Sequence, residues 1–339
     1  MADDTEDCSF SRQPLQRSGI HDKHPTHEQT KAKQCPENED IPQNLTLASL
    51  PSIYLRLSKA KLTGLVAMSA LCGYGMAPGE LDLMVCFLMS LGTFMSSCSA
   101  NAFNQIFEVP YDSQMARTKR RVLVTGLLSR VHAISFASII GISGILILTS
   151  YVNLLAAIIS ATTWGLYVTT YTPLKRVCIG NTWIGAVVGA LPPMIGWAGR
   201  TGSLDAGAFI MAGFLFTWQF PHFNALSWNL RSDYSKAGYR MMATRNPDLC
   251  QSVAFRHCLF IIVLSFLAPY FNLTTWPFAL FSLPLNFTFA YLAWCFYKQA
   301  DGKTATYLFK FSLLHLPLLM IMLLISKKNL PVAKVFENI

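Results

Sequence analysis

Charge is what this chain has little of. Only 13% of its 339 residues are Asp, Glu, Lys or Arg, and 52% are apolar. A soluble domain carries about 25% charged residues. Half that charge at this apolar fraction excludes an ordinary soluble enzyme and a disordered chain. The nine cysteines include no CxxC pair and no Cys/His cluster. That argues against a disulfide framework or a zinc site. Cys72, Cys86, Cys98, Cys258 and Cys295 lie in apolar stretches and read as buried free thiols. A secretory signal pattern is also lacking, and Asp3, Asp4, Glu6 and Asp7 have the wrong sign for a mitochondrial presequence.

The charge that is present is unevenly spread. Residues 1–50 hold nine acidic and five basic residues, whereas residues 51–339 hold nine acidic and 22 basic. An apolar yet cationic body suits a membrane protein that meets lipid head groups or an anionic substrate rather than nucleic acid. Residues 1–50 read as a polar, mobile tail, 51–330 as an all-α integral membrane domain, and 331–339 as a short C-terminal tail.

Runs free of Asp, Glu, Lys and Arg cover 62–79, 83–107, 131–174, 177–199, 206–230, 257–297 and 311–326. One spanning helix needs about 20 apolar residues. The runs of 44 and 41 residues therefore hold two helices each, divided near Ser150–Asn153 and Asn272–Thr275. Nine transmembrane helices are expected, the last of them short. Nine crossings put 18 of the body's 22 basic residues on one side. The positive-inside rule then places that face in the cytoplasm or the mitochondrial matrix.

Two loops on the basic face also carry carboxylates. In the first, Asn104, Glu108 and Asp112 stand four residues apart, followed by Arg117, Lys119, Arg120 and Arg121. Positions i and i+4 share a helix face, so three oxygen-bearing side chains converge there. Hard oxygen ligands suit Mg²⁺, commonly bound by one or two carboxylates together with substrate phosphates. Arg117 and Arg121 suit phosphate oxygens. Pro110 is expected to distort the last turn. The plain alternative is a solvated juxtamembrane loop.

The second loop offers one carboxylate, Asp233, among Arg231, Lys236 and Arg240. A surface ion pair in a positive-inside loop competes evenly with a functional role. A third segment ends in Tyr171 and Lys175-Arg176, either a topology signal or a hydroxyl and an ammonium for the same anion. His222, in Trp218-Gln219-Phe220-Pro221-His222-Phe223, is an ionisable group inside a span and so a functional candidate, against a satisfied structural histidine. His132, His257 and His315 read as structural. Gly185, Gly189 and Gly196, with Pro192 and Pro193, predict a small-faced, kinked helix that packs closely.

These segments resemble the UbiA superfamily of intramembrane prenyltransferases. Residues 101–126, 171–176, 181–196 and 218–242 resemble most its heme-modifying branch, over roughly 52–326. That resemblance implies transfer of a farnesyl group from farnesyl diphosphate to a vinyl group of heme b, giving heme O. It also implies Mg²⁺ at Asn104, Glu108, Asp112 and Asp233, and diphosphate contacts from Arg117, Arg121, Tyr171, Lys175 and Lys236. His222 is the candidate for heme. Location follows as the mitochondrial inner membrane with the basic face toward the matrix, and heme A synthase as the recipient of the product. Ala237 stands where many superfamily members have a second Asp, Glu108 where many have Asp, and Val122 where the branch usually has Pro. A prenyltransferase for an aromatic or quinone precursor and an anion transporter remain as alternatives.

Overall fold

The computed structural model describes residues 49–328. The two expected tails lie outside the described residues, apart from Ser49 and Leu50. The elements run α1 (Leu50–Leu57), α2 (Ala60–Met76), α3 (Leu83–Asp112), α4 (Arg130–Tyr151), α5 (Leu154–Gly165), a π-helical stretch Leu166–Tyr171, and α6 (Thr172–Leu174). They continue with α7 (Asn181–Thr201), α8 (Ala206–Asn229), α9 (Arg231–Lys236), α10 (Met242–Arg245), α11 (Pro247–Tyr270), α12 (Trp276–Gln299) and α13 (Gly302–Ile325). Among the described residues the one β pairing is an isolated bridge between Thr274 and Lys327.

Side-chain caps set several boundaries that the charge-free runs misplaced. Asp301 accepts from Thr304 N at 2.8 Å, so α13 begins at Gly302 and takes in Lys303 and Lys310. The last helix is thus 24 residues long, not short. Asn246 accepts from Leu249 N at 3.0 Å with Pro247 in the first turn, which starts α11 ahead of Arg256. A capping oxygen satisfies one of the orphan N–H groups at a helix start, and that local signal outweighs one or two charges further along. Asn153 caps α5 in the same way, accepting from Ala156 N at 2.9 Å, and divides the 44-residue run where expected.

Among the described residues six segments are long and apolar enough to cross a membrane: α3, α4, Leu154–Leu174, α11, α12 and α13. The other three rods, α2, α7 and α8, do not reach that measure. α2 has 17 residues. α7 is buried without interruption from Pro192 to Gly199, and α8 carries Gln219, His222 and Asn224. Interior helices need not be uniformly apolar. Close packing explains the small residues of α7: a Cβ on Gly196 would lie 1.8 Å from the Ala70 carbonyl oxygen of α2. The seven described cysteines are free thiols.

Candidate active site

The last turns of α3 build the site. Helix geometry persists through Pro110 to Asp112, so the distortion expected at the proline does not interrupt the face. Asn104, Glu108 and Asp112 are all buried, at 1%, 5% and 0% exposure. Each carboxylate has a cationic partner. Lys175 Nζ donates to Glu108 Oε1 at 2.6 Å, and Arg121 Nη1 lies 3.5 Å from Glu108 Oε2. The same Arg121 nitrogen donates to Asp112 Oδ2. Arg121 therefore bridges the two acids. Asp112 Oδ1 is buried with no partner.

Lys59 completes the cluster, and nothing in its sequence context announced it. Gln105 Nε2 donates to the Arg56 and Leu57 carbonyls at 3.1 and 2.6 Å, closing the end of α1. The chain then turns through Lys59 in the left-handed region, φ 49°, uncommon for a side chain with a Cβ. Lys59 Nζ donates to Asn104 Oδ1 at 2.6 Å, while Asn104 Nδ2 donates to Thr172 Oγ1 at 3.2 Å. Burial, then the Arg121 charge, push the Lys59 ammonium down to about 7. Burial would lower Lys175 too, but the Glu108 carboxylate holds it well above the ordinary lysine value. Tyr171 lies under Lys175, with Nζ 4.5 Å from the ring centre. Gly185 makes room for it: a Cβ there would meet Tyr171 Cε2 at 2.7 Å.

The second loop reaches the site through aromatic and backbone groups. Met115, Tyr234, Ala237, Tyr239 and Met241 form a buried cluster against which the partly buried Tyr111 packs. Arg240 N donates to the Lys175 carbonyl at 2.8 Å, and Arg240 Nη1 donates to Val177 O at 3.0 Å. Asp233 is half-buried and forms no ion pair among the described residues; Arg117 and Lys236 are exposed and likewise unpaired with any acid. Arg231 stacks on Trp228 at 3.8 Å. Ala237 is buried in the cluster, where a second Asp would be desolvated. Val122 is buried among Ile53, Leu57 and Ala102, an apolar role that a valine fills.

His222 sits in α8, away from this set of partners. Its Nδ1 is 2.7 Å from Ser312 Oγ, and its ring stacks on Trp218 at 4.5 Å. Beside Glu108 lies a cavity of about 330 Å³ lined by Phe107, Tyr111, Val168, Thr172, Arg176 and Tyr239 among others.

Among the described residues no three His, Cys, Asp or Glu side chains converge as a ready metal cage. The donor set nevertheless fits Mg²⁺ carried in with a diphosphate, which needs only one or two protein carboxylates. The unpartnered Asp112 Oδ1 is the free hard-oxygen ligand such an ion takes. The cluster thus gathers two buried acids, three cations and one orphan carboxylate oxygen.

The fold and the family model define a class of membrane protein. The chain belongs to the UbiA prenyltransferase family, whose model matches residues 66–314. It is 51% identical over 84% of its length to the mitochondrial protoheme IX farnesyltransferase of Homo sapiens, of which the match covers 64%. It is 42% identical over 81% of its length to that of Yarrowia lipolytica, covering 62% of it. The chain thus spans somewhat under two thirds of these relatives. Among solved structures, one reported for a digeranylgeranylglyceryl phosphate synthase gives a TM-score of 0.70 at 16% identity, covering 81% of this chain and 98% of that one. A UbiA homolog from Archaeoglobus fulgidus bound to DMAPP and Mg²⁺ gives 0.62 at 13% identity, covering 80% and 98%. At these identities the likeness shows the fold.

Proposed function

We propose that the chain transfers the farnesyl group of farnesyl diphosphate to a vinyl group of heme b, forming heme O. The names of its relatives supply the substrates. The observation that carries the chemistry is the buried Glu108–Arg121–Asp112 bridge with Lys175 on Glu108 and a free Asp112 Oδ1. Mg²⁺, when bound, supplies charge neutralisation for the diphosphate at Glu108 and Asp112, with Asn104 and Asp233 as further oxygen donors.

The residues do the rest. Displacement of Lys175 and Arg121 from their carboxylates by substrate frees both cations to take the charge that grows on the leaving diphosphate. Groups preorganised for developing charge act most strongly in a dry site. Lys59 stands ready to join them through Asn104. Tyr171 orients Lys175 and offers its hydroxyl to the same oxygens. Arg117 and Lys236, exposed on the flanking loops, draw the anion in. The farnesyl cation left behind is sheltered from water by apolar walls until the heme vinyl carbon attacks it. Water then captures the new carbocation and gives up a proton to the released diphosphate, leaving the hydroxyl of heme O. His222, hydrogen-bonded to Ser312, contacts the heme.

Nine crossings, with the basic face toward the matrix of the mitochondrial inner membrane, agree with the charge asymmetry. Heme O would then pass to heme A synthase, on the route to heme A and cytochrome c oxidase. The test is incubation of the purified protein with farnesyl diphosphate, Mg²⁺ and either heme b or a hydroxybenzoate. Heme O from the first mixture is expected. A prenylated benzoate with no heme O would overturn the heme assignment in favour of a quinone-type prenyltransferase.

A further inference from the structure

One buried donor beside the site takes no part in the ion pairs there. Tyr239 is 4% exposed, and its hydroxyl has no hydrogen-bond partner among the described residues. Burying an O–H unpaired is costly, and most such groups in a folded protein find a partner. The ring itself is firmly placed. It meets Tyr111 at 5.8 Å and Tyr234 at 6.0 Å between centres. Its backbone N–H donates to Tyr234 O at 2.9 Å, after Gly238 has turned the chain through φ 72°. The next residue, Arg240, donates its N–H to the Lys175 carbonyl at 2.8 Å, and its own carbonyl accepts from Asn181 Nδ2 at 3.0 Å. Tyr239 is thus fixed against the segment that carries Lys175 and against Tyr111, the neighbour of Asp112.

Two cavities share Tyr239 as a wall. One is the space of about 330 Å³ beside Glu108; the other, about 160 Å³, is lined by Ser235, Gly238, Thr244 and Arg245. The charges that act most on the phenol belong to Glu108, Lys175, Asp112 and Arg121, not to Arg245. Burial, then the Glu108 carboxylate, push it above the ordinary tyrosine value, so it stands in the acid cluster as a protonated donor. In the free protein Lys175 and Arg121 are engaged with carboxylates, and Lys59 with Asn104. The Tyr239 hydroxyl has no bond to give up before it takes an anion. We infer that the Tyr239 hydroxyl donates a hydrogen bond to an oxygen of the diphosphate of the prenyl donor. This rests on the proposed function and adds a neutral donor to it. When the C1–O bond of the prenyl donor breaks, its electron pair stays on the leaving oxygen. A fixed donor stabilises that growing charge more than it does the ground state. The phenol keeps its proton throughout.

The test compares the full chain in nanodiscs with its variant Tyr239→Phe. Three quantities are read: affinity for inorganic diphosphate with Mg²⁺ by titration calorimetry, the rate of farnesyl transfer to heme b, and the unfolding midpoint without ligand. Loss of one hydrogen bond to a charged group is expected to weaken diphosphate binding about tenfold and to slow transfer by about tenfold to a hundredfold. The midpoint is expected to stay at the wild-type value or rise, because an unpaired buried hydroxyl has been removed. Wild-type diphosphate affinity in Tyr239→Phe overturns the assignment, whatever the transfer rate. So does a lower midpoint or a failure to fold, either of which gives the hydroxyl a structural role. The two readings fail differently. Equal diphosphate binding by both proteins, with heme O still made, sinks only the Tyr239 donor. No heme O from wild type sinks the heme assignment, while a tenfold difference in diphosphate affinity still upholds the donor. No diphosphate binding by wild type removes the site, and the donor with it.

Discussion

Two groups of buried or half-buried cations divide the labour in this protein. At the α3 site, Lys175 and Arg121 meet the side-chain carboxylates of Glu108 and Asp112. At the end of α2, Arg200 and Lys327 hydrogen-bond to backbone carbonyls, and Arg200 also lies over the Tyr74 ring at 5.5 Å. Arg200 donates to the carbonyls of Tyr74 at 3.0 Å, Gly79 at 2.5 Å and Glu80 at 3.2 Å. Lys327 donates to Gly75 O at 2.8 Å and Ala77 O at 2.7 Å. The last carbonyls of a helix have no partners within it and carry the negative end of its dipole. Cations there close the helix, and a ligand has no means of exchanging with them. Cations on carboxylates can be released by anything that takes the carboxylates. On the proposed function the first group serves the chemistry, whereas the second holds the fold.

Substitutions should separate the two groups sharply. The largest effect is expected from Asp112→Ala and Glu108→Ala, each lowering farnesyl transfer by about 10²–10³-fold or more, with the protein still in the membrane. Glu108→Ala also strands Lys175, and loss of one partner of a buried pair costs about 3–5 kcal/mol, so Glu108→Gln is the cleaner test. Normal product from the purified double variant would sink the site. Next comes Lys175→Met, expected to lower kcat by about a hundredfold with a smaller change in KM. A raised KM with kcat unchanged would point to simple binding.

Arg200→Ala should do the reverse. Several carbonyls lose their donor, at about 1–3 kcal/mol in stability, read as a lower unfolding midpoint in nanodiscs, while kcat of the folded fraction stays near wild type. A selective loss of kcat would erase the distinction between the groups. The smallest effect concerns pH. Burial and then the Arg200 charge push the Lys327 ammonium from 10.5 down to about 8. Below about 8 the folded state bears the cost of the buried charge. Between there and 10.5 the unfolded chain binds more protons, so stability rises with pH. Lys327→Gln should flatten that rise, and an unchanged slope would assign it to other groups.

The helical class, the divisions at Asn153 and near Asn272, and the acid face of α3 were legible in the chain because each is local. An i, i+4 spacing survives even Pro110, since only its own helix has to form. Other parts were not legible. Lys59 is 45 residues from Asn104 and arrives through a left-handed turn fixed by Gln105. Asp233 had the right chemistry on paper, yet its loop docks by Tyr234, Tyr239 and Arg240. Burial of a tyrosine ring outweighs the pull of one half-solvated carboxylate.

Apolar runs, charge asymmetry and the four-residue spacing of acids by themselves determined an all-helical membrane protein and pointed to an anion site beside its basic loops, because helix period and membrane transfer act within a segment. Tertiary structure alone decided which cations meet which partners. An ion pair between α3 and Lys175, and a hydrogen bond from Arg200 to an α2 carbonyl, join residues 67 and 126 positions apart. Only close packing of the helices brings such groups within reach, and no local pattern encodes it.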